Sequence, residues 1–153
     1  MGLARFIGKL FSPSGRRSSH LPEPGGNEDH WLGREGERLA AAWLRRNGYR
    51  VLYRNFRAPK GGEVDIVCRD KSCDMLVFIE VKTRRSLAFG TPAEAVTRTK
   101  QKLIVRGAMA WLQLLNHPAA LYRFDIVEVV LANGQPEFTL IRDAFKIPDR
   151  DIY

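Results

Sequence analysis

Three ionisable side chains, Asp65, Glu80 and Lys82, lie within two short apolar segments in the middle of the chain. Both segments alternate with a period of two, which predicts strands, and the polar residues between them favour a short hairpin connection. Two such strands in antiparallel pairing would present the three groups on one surface. Paired carboxylates can bind a divalent metal ion through oxygen, and an adjacent ammonium can orient water or stabilise charge on a phosphate. The spacing therefore predicts the chemistry of a metal-dependent nuclease.

The same alternation has a second interpretation. The predicted apolar faces are Val64, Ile66 and Cys68 in the first strand and Val77, Ile79 and Val81 in the second. The charged residues on the opposite faces could simply meet water at the edge of a sheet, where a cross-strand ion pair contributes little to stability. The pattern alone leaves both interpretations open.

The chain is strongly basic, with 25 lysines and arginines against 17 acids, a net charge of +8 and a pI near 9.9. This balance favours a polyanionic partner, most often nucleic acid. From Arg45 to Lys60 there is no acid, and aromatic residues interleave with the basic ones, as on a phosphate-contacting surface with stacking groups. A solvated helix end and strand face would have the same composition. The candidate nucleic-acid contacts are Arg45, Arg46, Arg50, Arg54, Lys60, Arg84, Arg85 and Lys100.

Cysteine usage and hydropathy limit the cellular setting. Cys68 and Cys73 are too few for a disulfide scaffold or a structural zinc site, which predicts free thiols in a reducing cytoplasm. No apolar stretch is long enough to cross a membrane, and Arg5 and Lys9 interrupt the first apolar run, so no secretory signal is predicted.

The composition divides the chain into a tail and one domain. Residues 12–29 are rich in Ser, Pro, Gly and charge and contain almost nothing apolar. Residues 1–30 are therefore expected to be a disordered or linker-like basic tail, and residues 31–153 to form an α/β domain.

A first helix is predicted directly after this tail. Apolar residues recur at helical spacing from Leu32 to Leu44, and an Asn-Gly pair follows as a left-handed cap. Gly36 lies in the middle of the apolar stripe, where it lowers helix stability but allows close approach to a sheet. Glu37 is about 100° further around the helix and could face the acidic strands, although an ordinary surface glutamate would have the same position.

The remaining elements complete the order α-β-β-β-α-β-β. A capping box at Thr91 predicts the start of the second helix, with Lys100 and Gln101 at the beginning of its buried face. Two strands with a tight turn at Asn133 follow, and Asp125 interrupts the first of them as a secondary carboxylate candidate that is more typical of a structural role. Parallel pairing of the third and fourth strands through the second helix would give a mixed central sheet flanked by helices.

Four ordered motifs resemble the YraN-like family of small bacterial proteins. They are G-x-x-G-E from Gly33 to Glu37, GEVDIV from Gly62 to Val67, FIEVKTR from Phe78 to Arg84 and A-V-x-x-x-K-Q from Ala95 to Gln101. Members of that family resemble archaeal Holliday-junction resolvases and the restriction-endonuclease-like fold. The resemblance covers residues 31 to about 147 and implies that fold for this chain.

The resemblance also implies roles for individual residues. In the broader nuclease group, an aspartate and an E-x-K motif form the metal site, and a helix glutamate and a later glutamine or lysine complete resolvase-like sites. The implied catalytic residues are Asp65, Glu80, Lys82, Glu37 and Gln101, the implied metal ligands are Asp65, Glu80, Glu37 and a carbonyl near Val81, and Glu63 would support these ligands or replace one of them.

The expected activity is hydrolysis of DNA phosphodiester bonds with one or two Mg²⁺ or Mn²⁺ ions, on substrates that include branched recombination or repair intermediates. A homodimer would match a two-fold symmetric junction. Two alternatives stay open: a nucleic-acid-binding protein that keeps the nuclease surface without turnover, and an interaction protein whose basic stripe meets an acidic partner.

Overall fold

A computed structural model describes residues 28–86, 94, 96–132 and 134–147 of the chain. Two helices and five strands follow one another in these ranges. They are α1 (Glu28–Arg46), β1 (Tyr49–Arg57), β2 (Glu63–Asp70), β3 (Met75–Arg84), α2 (Arg98–Leu114), β4 (Tyr122–Val130) and β5 (Glu137–Phe145). The order α-β-β-β-α-β-β confirms the order that the sequence predicts.

The five strands form one sheet in the order β1-β2-β3-β4-β5. β1, β2 and β3 pair antiparallel, β3 pairs with β4 in parallel, and β5 returns antiparallel to β4. The parallel pair requires a crossover, and α2 provides it between β3 and β4. The predicted mixed sheet, with its parallel step through the second helix, is therefore confirmed.

Each face of the sheet is covered by one helix. Alternate strand residues point to opposite faces, and the core is accordingly divided into two clusters. One cluster joins Ala40, Ala41 and Leu44 of α1 to Ile66, Cys68, Val77, Ile79, Val127 and Val129. The other joins Ile104, Ala108 and Trp111 of α2 to Val67, Leu76, Phe78, Phe124 and Ile126. The domain is thus a three-layer α/β/α arrangement.

Glycines bring both helices unusually close to the strands. A Cβ at Gly36 would overlap Oγ1 of Thr83, so α1 lies directly against the end of β3. A Cβ at Gly107 would lie 2.8 Å from the backbone nitrogen of Glu63, so α2 lies directly against the start of β2. Since a Cβ at either position would force neighbouring atoms to shift, the two glycines allow each helix to cross the sheet at close range.

The structure departs from the sequence prediction at two helix starts. α2 begins at Arg98, with Thr97 as its N-cap, and not at the capping box predicted at Thr91. Thr97 is equally suited to cap, because its hydroxyl accepts a hydrogen bond from the backbone nitrogen of Lys100. Thr91 itself lies outside the described residues. α1 begins at Glu28, so the predicted boundary at residue 31 falls inside the helix, and residues 1–27 of the predicted tail lie outside the described ranges.

A buried ion-pair cluster closes the sheet at the end where β2 turns into β3. Arg123 lies 2.9 Å from Asp70 and 3.0 Å from Asp125, which is fully buried. Asp125 also accepts a hydrogen bond from the backbone nitrogen of Asp143. The structural interpretation of Asp125 therefore accounts for its contacts. In the register of β3 and β4 it lies beside Ile79, the residue before Glu80.

The close contact at Gly36 should make the stability of the fold sensitive to a side chain at this position. Gly36→Ala should lower the free energy of unfolding by about 2 kcal/mol, because the added methyl overlaps the side chain of Thr83. Gly33→Ala is the matched control, since a Cβ there meets no described atom within 4 Å and Ala favours a helix by about 0.5–1 kcal/mol. Urea unfolding of the two variants measures both effects. Equal destabilisation by both substitutions would contradict the close approach.

The ion-pair cluster predicts a loss of stability in acid. Burial raises the pKa of Asp70, but hydrogen bonds from Ser72 and Arg123 outweigh it and hold that pKa well below its ordinary value. A carboxyl with a lowered folded-state pKa stabilises the fold above its unfolded pKa of about 3.9, and this stability is lost as the pH falls towards the folded pKa. Asp70→Asn should thus lower the free energy of unfolding by about 2 kcal/mol at pH 7 and begin to converge with the wild type as the pH falls below about 4.

Urea unfolding from pH 2 to pH 8 checks this convergence. Asp74→Asn, in the exposed turn after Asp70, makes the same chemical change outside the buried cluster and should alter the curve little. A constant difference between Asp70→Asn and the wild type at every pH would contradict the assignment.

Candidate metal centre

Asp65 lies next to the last backbone pair of β2 and β3. The backbone register of the two strands runs from Asp70↔Met75 to Ile66↔Ile79. Beyond that pair, Oδ2 of Asp65 accepts a hydrogen bond of 2.8 Å from the backbone nitrogen of Val81. The carboxylate is only 9% exposed. At this position a side-chain oxygen of β2 therefore accepts the hydrogen bond from the backbone of β3.

Glu80 is the most deeply buried acid of the site, with 2% exposure. Its Oε1 lies 2.9 Å from Nζ of Lys82 and 3.4 Å from Nζ of Lys100. Its Oε2 is buried and finds no hydrogen-bond partner among the described residues. Because an unpartnered buried carboxylate oxygen is costly, it is the kind of atom that a bound cation would satisfy.

The electrostatics of Asp65 reflect crowding of negative charge. Burial, and after it the nearby charge of Glu80, raise the pKa of Asp65 to about 7, although the hydrogen bond from Val81 acts in the opposite direction. The charge of Glu37 also raises this pKa and that of Lys100 lowers it. Two carboxylates in one water-poor space favour a proton or a cation between them.

Glu37 reaches the site from the other side of the sheet. It follows Gly36 on α1, at the contact with β3, and its side chain is half-buried. Its effect on Asp65 places its charge near that carboxylate. Across the ranges that the structure describes, however, no three acidic, histidine or cysteine side chains come together as a ready-made metal site. The structure therefore brings together a carboxylate pair with Glu37 as a neighbour.

Lys100, which the sequence predicts as a nucleic-acid contact, joins this cluster from α2. Its ammonium pairs with Glu63 as well as with Glu80, and Glu63 pairs in turn with Arg57. The available signal was the position of Lys100 one turn before Ile104, on the buried stripe of the helix. Its partner could not be read from that position, because it depends on where α2 crosses β2.

Two predicted site residues make other contacts. The side-chain nitrogen of Gln101 donates a hydrogen bond of 3.1 Å to the carbonyl of Val96, at the start of the same helix. Val81 is predicted to offer a carbonyl to a metal. In the structure its backbone nitrogen donates a hydrogen bond to the carboxylate of Asp65. The catalytic role of Gln101 and the ligand role of the Val81 carbonyl stay predictions.

The basic residues predicted to contact nucleic acid are divided between the two ends of the sheet. Arg45 and Arg46 end α1, and Arg50 pairs with Arg69 near the closed end of the β2–β3 hairpin. Arg54 pairs with Ile66, the residue that follows Asp65. Lys60 lies in the exposed turn before β2, and Arg84 and Arg85 follow Lys82, with Arg84 held 3.1 Å from Glu128.

Arg54 differs in exposure from the other predicted contacts between residues 45 and 60. Its side chain is half-buried, and its Nε is buried with no hydrogen-bond partner among the described residues. Arg45, Arg46, Arg50 and Lys60, by contrast, are exposed. Edge strand β1 thus connects exposed cations near both ends of the sheet, over a strand length on the order of 25 Å.

The thiols and helices agree with the limits set by the sequence. Cys68 is buried, Cys73 is exposed, and both are free. Of the helices in the described ranges, none combines the length and apolar character that a bilayer span requires.

These features define an α/β protein whose mixed sheet carries a buried carboxylate pair beside a lysine. The model of Uncharacterised protein family UPF0102 matches residues 36–129. A UPF0102 protein of Trichlorobacter lovleyi is 45% identical over 123 residues, covering 80% of this chain and 95% of the relative. One of Caldicellulosiruptor saccharolyticus is 46% identical over 116 residues, covering 74% and 96%. The chain belongs to the UPF0102 family, which is the YraN-like family that its motifs predict.

The raised pKa of Asp65 predicts that this residue destabilises the fold. A carboxyl whose folded pKa is about 7 and whose unfolded pKa is about 3.9 takes up a proton on folding between these values. The free energy of unfolding should therefore fall as the pH rises from about 4 to about 7. Asp65→Asn removes the charge and should raise the free energy of unfolding at pH 8 by on the order of 2 kcal/mol.

Urea unfolding from pH 4 to pH 9 measures this difference. Asp29→Asn, an exposed change of the same kind in the first turn of α1, is the control and should be nearly neutral. A loss of stability in Asp65→Asn at pH 8 would show that the carboxylate is well accommodated and contradict the crowding of charge.

Proposed function

We propose that the protein is a metal-dependent endonuclease that hydrolyses phosphodiester bonds in DNA. The observation that carries the proposal is the buried pair of Asp65 and Glu80, with Oε2 of Glu80 unpartnered among the described residues and Lys82 beside it. Mg²⁺ commonly binds through one or two carboxylates together with waters and substrate phosphates, so a carboxylate pair fits this ion.

The donor set agrees with a hard divalent cation. Asp65 and Glu80 would hold one or two Mg²⁺ or Mn²⁺ ions, with Glu37 and the carbonyl of Val81 as further ligands. A bound ion polarises a phosphate and lowers the pKa of a bound water. Histidine and thiolate ligands, which zinc prefers, are not part of this cluster in the described residues.

The other residues of the site would position the substrate and the water. Lys82 is fixed by its contact of 2.9 Å with Glu80, so its ammonium can orient a water or stabilise negative charge on the phosphate. Glu63 would hold the lysine of α2 in place. Exposed cations along β1 and after β3 would contact the DNA backbone, which would make binding strongly dependent on salt.

The basic surface and the family resemblance favour DNA that includes branched recombination or repair intermediates. The basic surface extends along a whole edge strand, so it is long enough to contact several phosphates of a DNA backbone. A two-fold junction would also engage two copies of the chain, so we expect a homodimer on such a substrate. Light scattering of the protein with a four-way junction measures this stoichiometry.

A second candidate is a DNA-binding protein without turnover. One observation favours it: Oε1 of Glu80 is already neutralised by the ammonium groups of both Lys82 and Lys100. A carboxylate paired in this way is satisfied in part without a metal ion. The two candidates share the binding surface and differ only in cleavage.

Cleavage by Asp65→Asn separates them. Labelled four-way junction, flap, linear duplex and single-stranded DNA would be incubated with MgCl₂, MnCl₂ or EDTA. We expect wild-type cleavage of at least one substrate only with metal, and a decrease of about 100-fold or more in Asp65→Asn with DNA affinity retained. Asp29→Asn should cleave like the wild type. Metal-independent cleavage, or equal cleavage by Asp65→Asn, would contradict the proposal, and salt-sensitive binding without any cleavage would favour the second candidate.

A further inference from the structure

The ammonium of Lys100 lies inside the carboxylate cluster, although the residue is a lysine in the first turn of a helix. Its side chain is only 23% exposed, and its Nζ pairs with Glu63 and lies 3.4 Å from Oε1 of Glu80. The Thr97 cap fixes the start of α2, and the contact at Gly107 fixes where the helix crosses β2. The fold therefore directs this lysine at the buried acid.

The contacts of Glu80 are unevenly shared between its two oxygens. Both Lys82 and Lys100 approach Oε1, whereas Oε2 has no hydrogen-bond partner among the described residues. Two ammonium groups at one oxygen repel each other, and the longer contact belongs to Lys100. Lys82 is two residues from Glu80 on the same strand, while Lys100 comes from a separate element and has a second partner in Glu63.

We propose that Lys100 is an internal counter-ion of the carboxylate pair, which a divalent cation displaces, and that the released ammonium then contacts a DNA phosphate. This inference rests on the proposed function. A cation held by Asp65 and Glu80 would bring two positive charges into the space that Lys100 partly neutralises, and their repulsion is strong where water is scarce. Lysine is suited to such a change of partner, because its ammonium is a compact charge on a flexible stem.

Glu63 makes the exchange feasible. Its carboxylate is 21% exposed, at the rim of the cluster, and already pairs with Lys100. When the lysine leaves Glu80, it keeps an acidic partner near the surface from which it can reach a phosphate. With no cation bound, Lys100 keeps the buried carboxylate paired, and this avoids the cost of an isolated buried charge.

Displacement couples the two ligands of the site. A cation that releases Lys100 adds one phosphate contact, and DNA that draws Lys100 outwards removes a competitor of the cation. Since such coupling is reciprocal, each ligand should strengthen the binding of the other. Lys100 would therefore act as a positioning residue that links metal binding to DNA binding.

Calorimetric titration with MnCl₂ tests the competition. Lys100→Gln should bind Mn²⁺ about five- to tenfold more tightly than the wild type, because the competing charge is gone. Lys102→Gln, an exposed position on the same helix, removes the same charge and should bind like the wild type. Lys100→Arg keeps the charge and should bind no more tightly than the wild type, and Asp65→Asn should show no uptake.

Fluorescence anisotropy of the wild-type protein gives a second readout that needs no variant. A labelled four-way junction would be titrated across a range of KCl concentrations, with CaCl₂ to limit hydrolysis or with EDTA. The salt dependence of affinity should become steeper by about one phosphate contact when Ca²⁺ is present. Lys100→Gln should lose this increment, and Lys102→Gln should keep it.

The outcomes separate the two proposals. If Lys100→Gln and Lys102→Gln bind Mn²⁺ equally and the salt dependence does not change with Ca²⁺, displacement of Lys100 is overturned. Loss of uptake in Asp65→Asn would then still support the nuclease proposal. If Mn²⁺ binds neither the wild type nor Lys100→Gln, both proposals fail. If Lys100→Gln binds Mn²⁺ and the wild type does not, the result would support displacement, because Lys100 would then compete fully with the cation.

Discussion

The central constraint in this protein is the burial of two carboxylates side by side within a sheet. Asp65 and Glu80 are almost completely shielded from water, and the charge of Glu80 makes the ionised form of Asp65 less favourable. Burying such a pair lowers the stability of a fold unless positive charge lies nearby. The structure supplies that charge with Lys82 from the same strand and Lys100 from a helix. The proposed metal site rests on this arrangement of charges.

The helices serve this site through their closest contacts with the strands. At Gly36, α1 touches the end of β3, and the charge of the next residue, Glu37, raises the pKa of Asp65. At Gly107, α2 touches the start of β2 and positions Lys100 above the same pair. A second cluster joins Asp70, at the β2–β3 hairpin, to Asp125 of β4 through Arg123, and these carboxylates are paired without a further ligand.

Much of this architecture could be predicted from local sequence patterns. Alternation with a period of two identified β2 and β3 and the surface they share, and a helix between strands predicted the parallel pair. The start of α2 was misplaced, since the signal at Thr91 is stronger in sequence than the cap at Thr97 that the fold uses. The partners of Lys100 and the separation of Arg45 from the site depend on tertiary register, which single-sequence patterns do not encode.

The most direct test of the account is the position of a bound metal ion. Crystals of the protein grown or soaked with millimolar MnCl₂ would be measured by anomalous diffraction at a wavelength where manganese scatters strongly. The account predicts an anomalous peak between the carboxylates of Asp65 and Glu80, with Lys100 moved away from Glu80. A manganese peak elsewhere, or none at that concentration with Lys100 still in place, would contradict it.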